Sequence, residues 1–296
     1  MQAPFGRIVT AMVTPFRPDG SLDVEVARDV ARHLVEHGSE GLVVAGTTGE
    51  SPTLADAEKL ALLEAVVDAV GSRVSVLCGT GTNDTAHSVQ LTRAAVAAGA
   101  DAVLAVTPYY SKPPAEGIYR HFRAIAEAAG DRPVVLYNIP SRVVVNLPPA
   151  LLLRLAGIDN VVAVKQAHDD LDELDALVAD GRLAVYAGND QPLRTFVEHG
   201  AVGGICVASH VAGDDMLALV EAVENGDAAR AAELDALLHE LYPALYATTS
   251  PIPVKAAMEL MGFAVGDPRL PLVAATEAER SAIRDALAAR GLPAAA

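Results

Sequence analysis

Short β-branched apolar runs alternate along the chain with longer segments whose apolar positions return at helical spacing. This is the pattern of repeated βα units around a parallel sheet. The runs predict strands at Ile8–Val13, Gly41–Ala45, Val74–Cys78, Ala102–Val106, Val134–Asn138, Val161–Lys165, Ala184–Ala187 and Gly204–Val207. Eight strands at a spacing of about thirty residues suit one α/β fold, a closed (β/α)8 TIM barrel, better than two doubly wound halves. Between them, Ser21 is expected to open a helix with Val26, Val30 and Leu34 on one face and Gly38 beyond its end. Thr53 is expected to cap another, carrying Leu60, Leu63, Val67 and Val70 before Gly71 stops it, and Asp84 precedes a third. After Val207 the strand signal ends, and helices are predicted over Asp214–Glu224, Ala228–Tyr242, Pro253–Met261 and Glu277–Ala289. The expected organisation is a barrel with the catalytic site over 1–225 and a C-terminal helical region over 226–296. That region is too small to be a catalytic unit of its own and reads as a buttress. The Ala-rich tail Gly291–Ala296 is expected to fray.

Composition narrows the function classes. With 38 acidic against 22 basic residues the net charge is −16, which argues against nucleic acid or an anionic membrane surface as partner. An anionic substrate would need a local cationic pocket. Cys78 and Cys206 lie far apart at the ends of apolar runs and read as buried reduced thiols. Cysteine and histidine show no metal-ligand spacing, so no metal is expected. Met1–Phe16 lacks a secretory pattern and no apolar stretch reaches membrane-spanning length, so a cytoplasmic protein is expected.

In such a barrel the chemistry sits where strands end and βα loops begin. Those positions hold Gly46-Thr47-Thr48-Gly49-Glu50-Ser51, Thr107-Pro108-Tyr109-Tyr110, Tyr137-Asn138-Ile139-Pro140-Ser141-Arg142, Lys165, Gly188-Asn189-Asp190 and, through the last strand, Ile205. Lys165 ends the run Val161-Val162-Ala163-Val164, where a low-dielectric mouth is expected to favour the neutral amine that a Schiff-base lysine needs. A lysine snorkelling into water would satisfy the same pattern. Taken singly, the Gly-Thr-Thr-Gly turn, Tyr110, Tyr137 and Arg142 also have ordinary readings as a turn, as packing and as a solvated charge. Gathered at one barrel end around one lysine, they form an aldol-type site.

These segments, with Ser250-Pro251-Ile252-Pro253-Val254-Lys255 and the following Ala257-Met258-Glu259-Leu260-Met261-Gly262, resemble the dihydrodipicolinate synthase family. That family belongs to the pyruvate-dependent class I aldolases, which include N-acetylneuraminate lyase. The resemblance runs from about Gly6 to Leu272. It implies a Schiff-base lyase, without metal or organic cofactor, that condenses pyruvate with L-aspartate 4-semialdehyde on the lysine and diaminopimelate route. It implies that Lys165 forms the imine and that Thr48 helps to hold the pyruvate carboxylate. Tyr137, Thr47 and Tyr110 would relay protons, Tyr110 reaching in from a neighbouring subunit. Arg142 would receive the second carboxylate, while Gly188 and Ile205 would border the adduct. A homotetramer, a dimer of dimers, is implied as well.

The chain departs from the family pattern at Gln166, where an acid is usual, at Asn189, where Asp is common, and at Ser209-His210, which replaces a small residue and Asn. These positions could reshape the side of the second substrate. They keep open a related pyruvate aldolase acting on a keto-deoxy sugar acid or 4-hydroxy-2-oxoglutarate. A non-catalytic amino-acid-binding paralogue is the reading from another class, and the intact set of site residues speaks against it. In lysine-inhibited relatives an effector cleft uses the positions of Ser51, Asp56, Lys59, Asn83, His87 and Tyr109. Asp56 and Lys59 stand here where those enzymes have histidines, and His87 where they have glutamate, so weak or absent feedback inhibition is expected.

Overall fold

The computed structural model describes residues 2–293, so the last part of the tail, residues 294–296, lies outside the described residues. Eight parallel strands close on themselves in chain order. They are β1 (Ile8–Ala11), β2 (Gly41–Val44), β3 (Ser75–Gly79), β4 (Ala102–Val106), β5 (Val134–Asn138), β6 (Val161–Gln166), β7 (Ala184–Ala187) and β8 (Gly203–Cys206), the last pairing back to β1. Helices α1 (Val24–Glu36), α2 (Asp56–Val70), α3 (Thr85–Ala97) and α4 (Ala115–Ala129) connect the first five strands. The short α5 (Pro140–Val143), with α6 (Pro149–Leu155), α7 (Leu171–Asp180) and α8 (Leu193–Glu198), connects the rest. The chain then continues through α9 (Ser209–Glu224), α10 (Ala228–Leu245), α11 (Ile252–Leu260) and α12 (Glu277–Ala289).

The pleat divides each strand between two cores, because successive side chains point to opposite faces. Val9, Val43, Leu77, Leu104, Val135, Ala163 and Ile205 fill the barrel interior. Their neighbours Ile8, Leu42, Val76, Val103, Leu136 and Val164 pack outward with the helices. This alternation decides the chemistry: Lys165 follows outward Val164 and shares the inward parity of Ala163, whereas Gln166 turns outward. Cys78 and Cys206 are free and buried in the barrel wall, and burial pushes the Cys78 thiol up to about 12.

Helix boundaries differ from expectation where a polar side chain had a better use. Asp23, not Ser21, caps α1 by accepting from the Val26 amide at 3.2 Å, while the Ser21 hydroxyl bonds Asp19 at 2.6 Å. Thr53 closes a 3₁₀ turn (Ser51–Thr53) by donating to the Glu50 carbonyl, so α2 starts later, with the Ala55 amide held by Glu58. Asp84 does cap α3, accepting from the Ala86 amide at 2.9 Å. Helix α9 begins ahead of Asp214 because a first turn from Ser209 precedes a break at Ala212 (φ −140°).

That first turn buries His210, which does not open toward the barrel mouth. Its Nδ1–H donates to the Val207 carbonyl (2.8 Å) and its Nε2 accepts from the Val13 amide (3.1 Å). Protonating Nε2 would set two donors face to face, and burial holds this imidazole down at about 4. His121, also buried, is lowered to about 4 for the same reason. An unfolded histidine, titrating at 6.5, binds a proton between those limits that the native ring refuses. Stability contributed by each ring is therefore present above pH 6.5 and lost as pH falls toward 4, by up to about 3 kcal/mol per ring. Urea midpoints from pH 7 down to 4.5 are expected to show the decline, and His210→Asn to flatten part of it. An unchanged slope in His210→Asn would remove His210 from this role.

Candidate active site

At the C-terminal ends of the strands a cavity of about 660 Å³ opens between the loops after β2, β3, β4 and β5. Thr47, Tyr110, Tyr137 and Arg142 line it together, which brings four of the sequence-selected residues onto one space. Lys165 lies beside them, paired in register with Tyr137 on β5, its Nζ 4.5 Å from the Tyr137 ring centroid. Gly188 and Ile205 fall on the neighbouring β7 and β8 side. Ile205 is fully buried in the inner core, and a Cβ at Gly188 would come within 2.7 Å of Ala167, so only glycine lets these two loops meet.

Three lysines are buried, and they differ in company. Lys255 donates to Glu50 at 3.0 Å, and Lys59 lies 3.7 Å from Asp56. Lys165 is only 4% exposed, yet among the described residues it has no carboxylate within ion-pair distance. An amine so placed meets the aromatic face of Tyr137, which itself lines the cavity, and is not held by an ion pair from attacking a carbonyl carbon brought to it.

The Gly46–Gly49 turn is held from beneath. Thr14 donates its hydroxyl to the Gly49 carbonyl (2.6 Å), and the amides of Glu50 and Ser51 close back on Thr47 and Gly46. A Cβ at Gly49 would crowd the Ala45 amide at 3.0 Å. Among the described residues the amides and hydroxyls of Thr47 and Thr48 have no protein partner, which leaves a cradle of donors suited to a small carboxylate. The guanidinium of Arg142 is exposed and reaches only Thr249, at 3.5 Å, with no acid partner among the described residues. It is free to take a carboxylate.

Tyr110 stands out by its backbone. It is 90% exposed and has φ +72°, a left-handed conformation that a bulky aromatic adopts only where its surroundings impose it. The Tyr137 carbonyl receives both the amide and the hydroxyl of Thr107, at 3.0 and 2.9 Å, which fixes the tyrosine's backbone from the neighbouring strand.

None of the three departures lines the cavity. Outward-facing Gln166 accepts from Asn138 (3.0 Å) and approaches Glu173 of α7, which also holds Asn146 (2.9 Å) and His168 (3.1 Å). Ser209 accepts from the Thr10 hydroxyl (2.7 Å), and His210 is locked as described. Asn189 bonds Asp169 at 2.8 Å on the exposed rim.

Sequence reasoning missed Asp190. Its buried carboxylate accepts from the amides of Val207 and Ala208 and from the Tyr246 hydroxyl (2.5 Å), tying the loops after β7 and β8 to the residue that follows α10. It also missed the partners of Glu50. Both were in quoted motifs, but Tyr246 stands 56 residues from Asp190 and Lys255 stands 205 from Glu50, and partners so distant leave no local signal. Among the described residues no group of three or more His, Cys, Asp or Glu side chains is placed to hold a metal ion, and no helix is long and apolar enough to cross a membrane.

Comparison with known proteins extends the picture. The sequence profile of the Dihydrodipicolinate synthetase family matches residues 4–290. A 4-hydroxy-tetrahydrodipicolinate synthase of Synechococcus sp. (strain CC9605) is 53% identical over 97% of this chain and 95% of its own length. The crystal structure of a dihydrodipicolinate synthase from Bacillus anthracis superposes with a TM-score of 0.94 at 41% identity, covering 97% of this chain and 99% of that one. The enzyme from Cyanidioschyzon merolae, solved with lysine bound, gives 0.95 at 39% identity over the same shares.

Proposed function

Because the chain belongs to the dihydrodipicolinate synthetase family, we propose that its barrel mouth condenses pyruvate with L-aspartate 4-semialdehyde through an imine on Lys165. The activity is that of 4-hydroxy-tetrahydrodipicolinate synthesis, in the making of diaminopimelate and lysine. The observation that carries the residue assignment is the buried, acid-free Lys165 amine against Tyr137, beside a cavity lined by Thr47, Tyr110 and Arg142.

In this reading the Lys165 amine adds to the pyruvate carbonyl and water leaves, with Tyr137 passing the protons on a relay with Thr47 and with Tyr110 reaching in from a neighbouring subunit. Thr47 and Thr48 receive the carboxylate. The iminium withdraws electrons from the methyl group, which gives up a proton and becomes an enamine. The enamine carbon attacks the aldehyde of the second substrate, whose carboxylate sits on Arg142. Its amino group then displaces Lys165 from the imine carbon, which closes the heterocycle and frees the enzyme. Gly188 and Ile205 border the adduct. Tyr110, exposed in the single chain, is proposed to complete a partner's relay, within a cytoplasmic homotetramer. The helical region from residue 226 is proposed as a buttress of the barrel at 1–225.

Borohydride reduction in the presence of pyruvate, read by intact mass, tests the imine. A coupled assay of aspartate semialdehyde against sugar-acid aldol products tests the acceptor, and faster turnover of the latter would sink this assignment. Arg142→Ala is expected to raise the semialdehyde KM about tenfold to a hundredfold, the worth of a charge-assisted bond, while borohydride trapping proceeds as before. Unchanged steady-state constants would take Arg142 out of the site.

The same cavity extends to Ser51, Asp56, Lys59, Asn83, His87 and Tyr109. There the Asp56 carboxylate is already bonded to His87 at 2.8 Å, and the Lys59 ammonium would repel a lysine ligand. L-Lysine is expected to inhibit weakly or not at all. Half-inhibition at sub-millimolar L-lysine would contradict this.

A further inference from the structure

Glu50 ends the Gly46–Gly49 turn with φ +55°, a left-handed backbone that a glutamate keeps only when its surroundings hold it. Its side chain is nearly sealed, the residue being 2% exposed. One carboxylate oxygen accepts from Lys255 Nζ at 3.0 Å and the other from the Arg269 amide at 2.8 Å. Lys255, 1% exposed on α11, also donates to the carbonyls of Thr14 (3.0 Å) and Asp267 (3.2 Å), with Nζ 4.4 Å from the Phe16 ring centroid. Thr14 in turn donates to Gly49. One ammonium thus grips the turn at two consecutive residues, through the Glu50 carboxylate and, by way of Thr14, through the Gly49 carbonyl.

A buried ion pair is a poor way to gain stability, since an apolar pair of similar volume is often as good or better. What it supplies here is direction, because three acceptors around one point charge fix where the turn sits. We propose that the Lys255–Glu50 pair positions the Gly46–Gly49 turn, so that the C-terminal helices set the donors of Thr47 and Thr48 at the distance pyruvate's carboxylate requires. The proposal rests on the carboxylate reading of that turn given above. Lys255 touches no substrate and acts through Glu50 as a positioning residue.

The test uses the full chain with the neutral pair Glu50→Gln/Lys255→Met, the single variant Glu50→Gln, and Thr48→Val as control for the carboxylate reading. The neutral pair leaves no unpaired charge but takes a donor from the Thr14 and Asp267 carbonyls, so its Tm is expected to fall by several degrees while the protein still folds. Its pyruvate KM is expected to rise about tenfold and, because the same turn carries Thr47, its kcat to fall as well, while the semialdehyde KM, set by Arg142 on another loop, stays within about threefold. Hydrogen exchange of the 47–51 amides is expected to quicken with it. A parental pyruvate KM together with parental exchange over 47–51 overturns the proposal. Glu50→Gln is read by the same two measures should the double variant fail to fold. If Thr48→Val leaves the pyruvate KM untouched while exchange still quickens in the neutral pair, the positioning stands and the carboxylate reading falls. A KM rise in Thr48→Val with none in the neutral pair overturns the positioning alone.

Discussion

Lys165→Met is expected to lose all measurable condensation and to give no borohydride-trapped pyruvate adduct, while keeping the fold. Met matches the length of the lysine stem and needs no counter-ion, and the site it enters holds no carboxylate to be stranded by the change. Removing Lys255 would by contrast strand the buried Glu50 carboxylate. Near-parental Tm with no turnover is therefore the signature of a nucleophile rather than of a packing residue. If Lys165→Met still turned pyruvate over near the parental rate, the imine route and every role built around it would fall together.

Tyr137→Phe carries the second largest expected effect, a fall in kcat of about a hundredfold or more, the usual worth of a positioned proton-transfer group. The substitution is clean. Thr107 holds the Tyr137 backbone through its carbonyl, and the ring face that meets Lys165 at 4.5 Å is kept in Phe. Only the hydroxyl is lost. Trapping by borohydride should still reach completion, but slowly, and exchange of the pyruvate methyl protons with deuterated solvent should slow in parallel. A kcat within about threefold of the parent would assign the proton shuttle to another group.

Much of this architecture was legible before the fold was seen, because apolar runs mark where barrel strands lie and their ends mark where the chemistry sits. The run ending at Lys165 placed that lysine at a strand end, but four apolar residues in a row do not say which face is which, and its inward parity with Ala163 emerged from the two cores of the fold. The same parity turns Gln166 outward, yet its partner Glu173 could not be read, since nothing local tells which residue of the next helix will meet it. Helix starts failed for a related reason. Ser21 and Thr53 are both good capping residues, but Asp19 and the Glu50 carbonyl were nearer acceptors for their hydroxyls. Tyr110 was singled out by its neighbours in sequence; its left-handed backbone is a property that only the folded loop reveals. Long-range polar pairs were the least visible of all. Lys255 and Glu50 each stood in a quoted motif, but their meeting depends on how the last helices fold back over the barrel mouth.

The sealed thiols have a practical consequence for watching that mouth move. With both native cysteines enclosed in the barrel wall, maleimide dyes have nothing to react with until the chain unfolds. A single cysteine introduced at exposed Ser111, next to Tyr110, would therefore take up a fluorophore at one defined point. Its emission could then report subunit docking and substrate arrival as they happen, on a background free of stray label.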